Sequence, residues 1–428
     1  MLLATTHHAG SVLALPAAGA GIATAAALTL VVVALGAWLL RSAPRPLAFG
    51  LVALAALTMA AKCALTTVVR SQPSFEGKQA EYLPRDIWDR TCAEGPHALL
   101  EDPGFSTLAV LSAPFFYAFG SWDDIPPAVN NAAVALAALA LAAACARSVG
   151  PRAAVAAFVL TAWNPSAVYW TIFGLRDPLI YLACALGASA VIESAGAWPG
   201  AVRRGALGVA GACCLMVCLR PEVAVVPVLA LGLAAFMVPL SQPVRRTMVV
   251  VGVLAVAAAV PIVMSELSLQ TLSMDQLEGF TEARLARNLE AQNETLFFES
   301  VNDISAQPGW QRLVTQCEGM VLCPLPLTPR NTMDLLVLAE SAAWVAMLAA
   351  PWLLRPAPSR VRERRVARAL ALAALLGLLA YAPFVLNAGN AFRLRFSMLP
   401  FALGAVTLAV AARRAATPSD YSAGTCPP

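Results

Sequence analysis

The sequence predicts an all-α fold, a polytopic transmembrane helical bundle of about 11 spans with two large outer loops. Hydrophobic residues make up 59% of the 428 residues and charged residues only 13%. The mean hydropathy is +0.70, which is too apolar for a protein with a polar surface. Long apolar runs recur along the chain, and arginine pairs separate many of them. We therefore expect a multi-pass protein of the cell membrane that contacts membrane lipids.

Each predicted span is an apolar segment close to the length of about 20 residues that a helix needs to cross the hydrocarbon. The two shortest segments rely on flanking arginines that extend toward the interface. The predicted spans are 16–40, 46–69, 126–146, 153–174, 178–195, 205–219, 223–240, 247–264, 333–354, 366–387 and 397–412.

The arginine clusters predict the orientation, because cytoplasmic loops hold an excess of Lys and Arg. An N-terminus outside and a C-terminus in the cytoplasm put every cluster on the inner face, provided that the apolar stretch 106–120 does not cross. That stretch then forms an interfacial or re-entrant helix. The clusters are Arg41/Arg45, Arg147/Arg152, Arg203/Arg204, Arg245/Arg246, the six arginines from Arg355 to Arg368, and Arg413/Arg414.

This topology divides the chain into five parts. The parts are an N-terminal extra transmembrane helix (1–45), a transmembrane core with a first outer loop at 70–125 (46–264), an outer, periplasmic loop (265–332), the C-terminal transmembrane helices (333–414) and a cytoplasmic tail (415–428).

The net charge of +4 follows from the inner loops, and the chain lacks the mixed aromatic and basic patch of a nucleic-acid groove. We therefore expect no nucleic-acid partner.

Cysteines fall in two environments. Most lie in apolar runs, where cysteine packs as a small hydrophobic residue. Cys317 and Cys323 lie in the second outer loop, where oxidising conditions allow disulfides, and a bridge between them would close a small ring; the pair can equally remain as thiols. Because neither histidine nor paired C-x-x-C spacing accompanies them, no zinc site is expected.

Arginines near the outer membrane surface are the candidate ligands of a lipid phosphate, because guanidinium groups bind phosphate bidentately. Arg70, Arg85 and Arg90 would complete a cationic ring around an outer cavity. A simpler interpretation is that the supporting acids Asp177 and Glu222 form local ion pairs that end helices at the interface. The predicted phosphate ligands are Arg176, Arg220, Arg393 and Arg395.

Carboxylates in the first outer loop are the candidate catalytic groups. Transfer of a sugar to a hydroxyl needs one carboxylate as base, within hydrogen-bond reach of the acceptor. Most such loop carboxylates are solvated charges, and any one of several could serve. The candidates are Glu76, Asp86 and Asp89, with Asp102 in support.

Four stretches resemble the GT-C superfamily of polytopic glycosyltransferases, which includes the protein O-mannosyltransferase and aminoarabinose transferase groups. The resemblance covers about residues 46–412 in architecture, and its motifs are degenerate. The stretches are the acidic loop followed by Pro103-Gly-Phe-Ser-Thr-Leu to Phe119-Gly120; Asn130-Asn131 through Arg147-Ser-Val-Gly-Pro-Arg152 to Trp163-Asn-Pro-Ser166 and Leu175-Arg-Asp-Pro178; Glu340-Ser-Ala-Ala-Trp344; and Asn387 to Arg395 with Pro400.

The resemblance implies a membrane glycosyltransferase that uses a polyprenyl-phosphate-linked sugar donor and a hydroxyl-bearing acceptor in a lipid, glycan or protein. It assigns the base to Glu76, Asp86 or Asp89, although the adjacent Asp-Glu pair that family members usually carry near the end of the preceding span is absent here. It leaves a divalent cation open, because some members of the superfamily bind one and others do not.

Two other functions compete with this one. An enzyme like the O-antigen polymerases or ligases would also use outer arginines, but on lipid-diphosphate glycans. A flippase or transporter of a lipid-linked substrate is a non-enzymatic alternative. Transporters often show repeated halves with broken helices at matching positions, and the sequence shows no such internal symmetry.

Overall fold

The computed structural model describes ten stretches of the chain, and the regular structure in all of them is helical. The all-α prediction is therefore confirmed for these residues. The described residues are 17–70, 83–95, 103–120, 122–172, 175–194, 201–219, 221–237, 309–322, 332–382 and 388–413.

The chain forms two compact units. The first contains the helices up to Ser189, and the second contains Ala190–Val217 and the helices that follow. The helices of the first unit are α1 (Ala17–Leu39), α2 (Arg45–Arg70), α3 (Leu83–Glu94), α4 (Pro103–Phe119), α5 (Ile125–Ser148), α6 (Pro151–Ala162), α7 (Pro165–Ile172) and the larger part of α8 (Asp177–Ser194).

Helix α5 is the centre of the first unit. It contacts α1, α2, α4, α6 and α7, and nearly all of its apolar residues are buried, against fewer than a third in α1 and α2. These two outer helices leave large apolar side chains exposed, among them Ile22, Leu30, Phe49 and Leu57. Long helices whose exposed sides are apolar fit a hydrocarbon surrounding.

Local sequence explains how the helices around α5 begin. Pro126 and Pro127 occupy the first turn of α5, where a missing N–H leaves no hydrogen bond unmade. Gly150 precedes α6 with a φ of 121°, a conformation that favours glycine. The sharp turn that it allows lets α6 pack back along α5.

The predicted span 153–174 is not one continuous helix. Helix α6 ends at Ala162 and α7 begins at Pro165. The side-chain Oδ1 of Asn164 accepts a hydrogen bond of 3.0 Å from the backbone N–H of Ser166, which caps the new helix, and proline at the first helical position cannot continue the hydrogen-bond ladder of α6. An Asn-Pro pair expected to kink a span therefore divides it into two helices.

The second unit is organised around its last helix, α14. This helix packs against α11, α12 and α13, and α10 packs against α13. A short 3-10 turn, Pro358–Arg360, connects α12 to α13. The helices are α9 (Ala201–Leu219), α10 (Pro221–Met237), α11 (Gly309–Leu322), α12 (Thr332–Leu353), α13 (Val361–Tyr381) and α14 (Ala388–Ala412).

Five described helices are long and apolar enough to cross a membrane. They correspond to predicted spans 16–40, 46–69, 126–146, 178–195 and 397–412. The predicted spans 205–219, 223–240, 333–354 and 366–387 overlap helices α9, α10, α12 and α13, as far as the structure describes them, and 247–264 lies outside the described residues. The five helices are Gly19–Leu39, Arg45–Arg70, Ile125–Ser148, Asp177–Ser194 and Ala391–Ala412.

Helix α9 approaches the end of α8 so closely that only glycine fits at the contact. A Cβ atom on Gly205 would lie 2.6 Å from Ser194 Cβ and 2.9 Å from the carbonyl oxygen of Ala190. A Cβ on Gly208 would lie 2.8 Å from Ala190 Cβ. Small residues of this kind let two helix backbones meet within a membrane.

A Gly205→Ala substitution should therefore lower the free energy of unfolding by roughly 1 to 3 kcal/mol, because backbone atoms must move apart. Gly211 on the same helix is the matched control, since an added Cβ there meets nothing within 4 Å. Gly211→Ala should leave stability unchanged or raise it by up to about 1 kcal/mol. Thermal unfolding in detergent measures both, and equal effects of the two substitutions would contradict the close contact.

Candidate functional site

The candidate site lies at the end of the first unit where α2 ends and α8 begins. Leu175, in the turn before α8, packs against a buried pair made of Ile87 on α3 and Ala109 on α4. Helices α3 and α4 also pack against each other, and α4 packs against α5. The acidic helix after the second span and the turn that carries Arg176 thus meet at one end of this unit.

An ion pair connects the helix ends at this site. Arg70, the last residue of α2, contacts Asp124 at 3.0 Å between Nε and Oδ1. Its NH1 group also donates a hydrogen bond of 3.3 Å to the carbonyl oxygen of Ile172, at the end of α7. Asp124 precedes α5 without capping it through its side chain. Arg70 therefore ties the ends of α2, α5 and α7 together.

A second set of charges continues onto α3. The NH1 group of Arg85 lies 2.9 Å from Asp123 Oδ1, and its NH2 group lies 3.4 Å from Asp86 Oδ1. Arg85 and Arg70 were expected in a cationic ring around a cavity rich in carboxylates, and the structure places each of them beside a carboxylate. We call the five residues Arg70, Arg85, Asp86, Asp123 and Asp124 the charged end of the first unit.

The surroundings of Asp123 shift the pKa of its carboxyl group. Burial raises the pKa of the Asp123 carboxyl above its usual value, and the neighbouring carboxylates Asp124 and Asp86 raise it further. Arg85 and Arg70 act in the opposite direction. The ionised form of Asp123 therefore depends on the two arginines for its stability in this partly buried position.

The two described catalytic candidates share α3. The side chain of Asp86 is 51% exposed and is therefore accessible to solvent. Asp89 lies one turn further along and is partly buried. Burial, and after it the charge of Asp89, raises the pKa of the Cys92 thiol, which lies one turn further along the same helix.

Arg176 and Asp177 lie where α8 begins. Asp177 is the first residue of the helix and is 5% exposed. A carboxylate there is stabilised by the positive end of the helix dipole. Arg176 is partly buried directly before it, and both side chains take part in polar interactions. The pair thus sits beside the α3–α4 hairpin through Leu175.

A polar stripe runs down α2 from the charged end into the span. Lys62, Thr66 and Arg70 follow at intervals of four residues and so share one face of the helix. The Nζ group of fully buried Lys62 donates a hydrogen bond of 3.1 Å to the carbonyl oxygen of Ala167 on α7. Asn131 on α5 donates through Nδ2 to Thr66 Oγ1 at 3.2 Å. This stripe and its partners on α5 and α7 were not predicted, although the spacing of four residues along α2 is a sequence signal that could have indicated the stripe.

The other predicted phosphate ligands with described side chains belong to the second unit. Arg395 on α14 is fully buried. Its NH1 group donates to Ser341 Oγ on α12 at 2.7 Å and to the carbonyl oxygen of Val321 on α11 at 3.4 Å. Arg393, two residues earlier, is partly exposed. Arg395 therefore joins three helices inside its unit.

Several sequence predictions fall on parts of the chain that the structure does not describe. For Glu222 on α10, only the backbone is described. The disulfide between Cys317 and Cys323 stays a prediction, because only Cys317, on α11, is described. The residues outside the described stretches are Glu76, Asp102, Arg220 and Cys323.

Among the described residues, no three His, Cys, Asp or Glu side chains are grouped so that they could hold a metal ion. No protein-family model, curated protein or solved structure matches the chain. The long apolar helices, with large apolar side chains exposed on α1 and α2, define a helical membrane protein.

Proposed function

We propose that the protein is a GT-C-like glycosyltransferase of about 11 spans. It transfers a sugar from a polyprenyl-phosphate donor to a hydroxyl of a lipid, glycan or protein at the outer face of the cytoplasmic membrane. In this arrangement the N-terminus is outside, the C-terminus is cytoplasmic, and α3 and α4 lie at the outer interface. The positive-inside distribution of arginines supports this orientation.

One observation carries the proposal: Leu175 packs against Ile87 and Ala109. It brings the exposed carboxylate of Asp86 and the guanidinium of Arg176 to the same end of one unit. Sugar transfer from a lipid phosphate needs both kinds of group, a base for the acceptor and a cation for the leaving phosphate. Arg176 directly precedes α8, and Arg85, next to Asp86, contacts Asp123 just before α5. Both α5 and α8 are long enough to cross a membrane, so a lipid headgroup would lie near these helix ends.

Each group has one chemical task in this reaction. A carboxylate among Glu76, Asp86 and Asp89 accepts the proton of the acceptor hydroxyl. The acceptor oxygen forms a bond to the anomeric carbon, and the bond from that carbon to the phosphate oxygen breaks. The polyprenyl phosphate leaves with the bonding electron pair. Arg176 stabilises the charge that develops on this phosphate, with Arg220 as a further candidate.

A reconstituted system tests the proposal. Purified protein in vesicles receives polyprenyl-phosphate mannose or aminoarabinose, labelled in both lipid and sugar, with a membrane extract as the source of acceptors. We expect release of labelled polyprenyl phosphate together with incorporation of the sugar into acceptor. Vesicles that contain the extract without the protein are the control.

Three other outcomes would overturn the proposal. Movement of intact donor across the bilayer without cleavage would make the protein a transporter. Cleavage confined to lipid-diphosphate glycans would place it with the polymerases or ligases. If every tested donor stays intact and does not cross the bilayer, lipid-linked sugars are not substrates of the protein.

A further inference from the structure

The densest arginine cluster of the chain lies between α12 and α13. It contains six arginines within 14 residues, from Arg355 to Arg368. The backbone N–H of Ala357 donates a hydrogen bond of 2.8 Å to the carbonyl oxygen of Ala412. This bond brings the start of the cluster to the end of α14, next to Arg413.

Three of the six arginines make hydrogen bonds or an ion pair within the fold. Arg364 donates through Nε to the carbonyl oxygen of Pro351 at 3.1 Å and through NH2 to that of Trp352 at 3.2 Å. Arg368 donates through Nε to Pro351 at 3.2 Å. These carbonyls end α12, where a helix lacks its own donors. Arg360 is buried and contacts Glu363 at 3.0 Å.

The remaining arginines lie on the surface. Arg355, Arg362 and Arg365 have exposed side chains, and so does Arg413 at the end of α14. Arg362 and Arg365 are three residues apart on α13 and therefore share a face. We call these four residues the exposed arginine group. The charge of these four arginines is additional to that of Arg360, Arg364 and Arg368, whose contacts stabilise the fold.

Large apolar side chains border the exposed arginine group. Trp352 and Leu353, at the end of α12, are 44% and 76% exposed, and Val361 at the start of α13 is 45% exposed. Tryptophan beside arginine is the pattern of a membrane interface, with apolar rings toward the hydrocarbon and cations at the headgroups. An acidic protein or a nucleic acid would match the charge but not the apolar border.

We propose that the exposed arginine group is a binding site for anionic phospholipid headgroups. Arg355, Arg362, Arg365 and Arg413 bind the headgroup phosphates, while Trp352 and Leu353 contact the acyl chains. The site is independent of the sugar-transfer function, since it rests on residues of the second unit alone.

Lipid titration of the purified full-length protein tests the site. Native mass spectrometry in detergent measures binding of phosphatidylglycerol and, for comparison, phosphatidylcholine. We expect the protein to prefer phosphatidylglycerol, and each of two double variants, Arg362→Gln/Arg365→Gln and Arg355→Gln/Arg413→Gln, to lose affinity by roughly fivefold for each arginine removed. Phosphatidylcholine binding should not change. Excess inorganic phosphate should compete weakly, because it lacks the acyl chains.

A matched control separates this site from total charge. Arg45→Gln/Arg152→Gln removes two exposed arginines elsewhere and should leave phosphatidylglycerol binding at this site unchanged. The proposal is wrong if the control variant loses as much affinity as the others, or if the wild-type protein binds both lipids equally. Full competition by inorganic phosphate would also overturn it and indicate a free-anion site. Unchanged melting temperatures verify that the variants are folded.

Discussion

Replacing Asp86 by asparagine should slow sugar transfer by about a hundred- to ten-thousandfold, the usual contribution of a general base. The amide keeps the shape of the side chain but cannot accept the proton of the acceptor hydroxyl. The fold should survive, because Asp86 is largely exposed and Arg85 retains Asp123 at 2.9 Å. Loss of the weaker 3.4 Å contact should cost less than about 1 kcal/mol. The measurement is the rate of polyprenyl phosphate release.

The same assay separates the three candidate bases. Asp89→Asn and Glu76→Gln are tested beside Asp86→Asn, and only the variant that lacks the base should show the full loss. Glu94→Gln is the matched control, because Glu94 ends the same helix with an exposed side chain and should leave turnover unchanged. Wild-type rates in all three test variants would remove these carboxylates as bases.

Replacing Arg395 by alanine should destabilise the second unit by about 3 to 5 kcal/mol, as for other large buried side chains. The substitution leaves a cavity beside Ser341 and Val321, and both lose the hydrogen bond that Arg395 NH1 donates. Lysine should restore only part of the stability, because one ammonium group cannot reproduce the guanidinium fork. Thermal unfolding in detergent measures the loss.

Arg393→Ala is the control for this prediction. Arg393 lies on the same helix but is partly exposed, so its removal should cost less than about 1 kcal/mol. If Arg395 binds the lipid phosphate instead, the alanine variant would have the same melting temperature as the wild-type protein and a lower affinity for the donor. That result would contradict the structural role described above.

Much of the fold could be predicted because membrane helices depend on local properties. Length and apolarity alone identified α1, α2, α5 and α14. The division of 153–174 was less accessible, because an Asn-Pro pair produces either a kink or a new helix, and the hydrogen bond from Ser166 to Asn164 decides between them. Residues 106–119 are helical within α4, and their position at the membrane interface stays a prediction.

The residue types of the candidate site could be predicted from the sequence, but the contacts between its charged residues could not. Asp86 was identified from its place in the first outer loop, and Arg176 and Asp177 from their position between two spans. That Arg70 would contact Asp124, rather than remain a free cation, depends on how α2 meets α5. A uniformly apolar helix such as α5 carries no periodicity that shows which side faces a neighbour.

The sequence by itself determined that this is a helical membrane protein, because the transfer of apolar segments into hydrocarbon depends on composition and length. Only the tertiary structure decided which polar groups meet. Lys62 lies at the carbonyl oxygen of Ala167 and Arg395 between Ser341 and Val321. These contacts arise because buried polar groups must find partners, and the packing of helices distant in sequence determines which partners lie within reach.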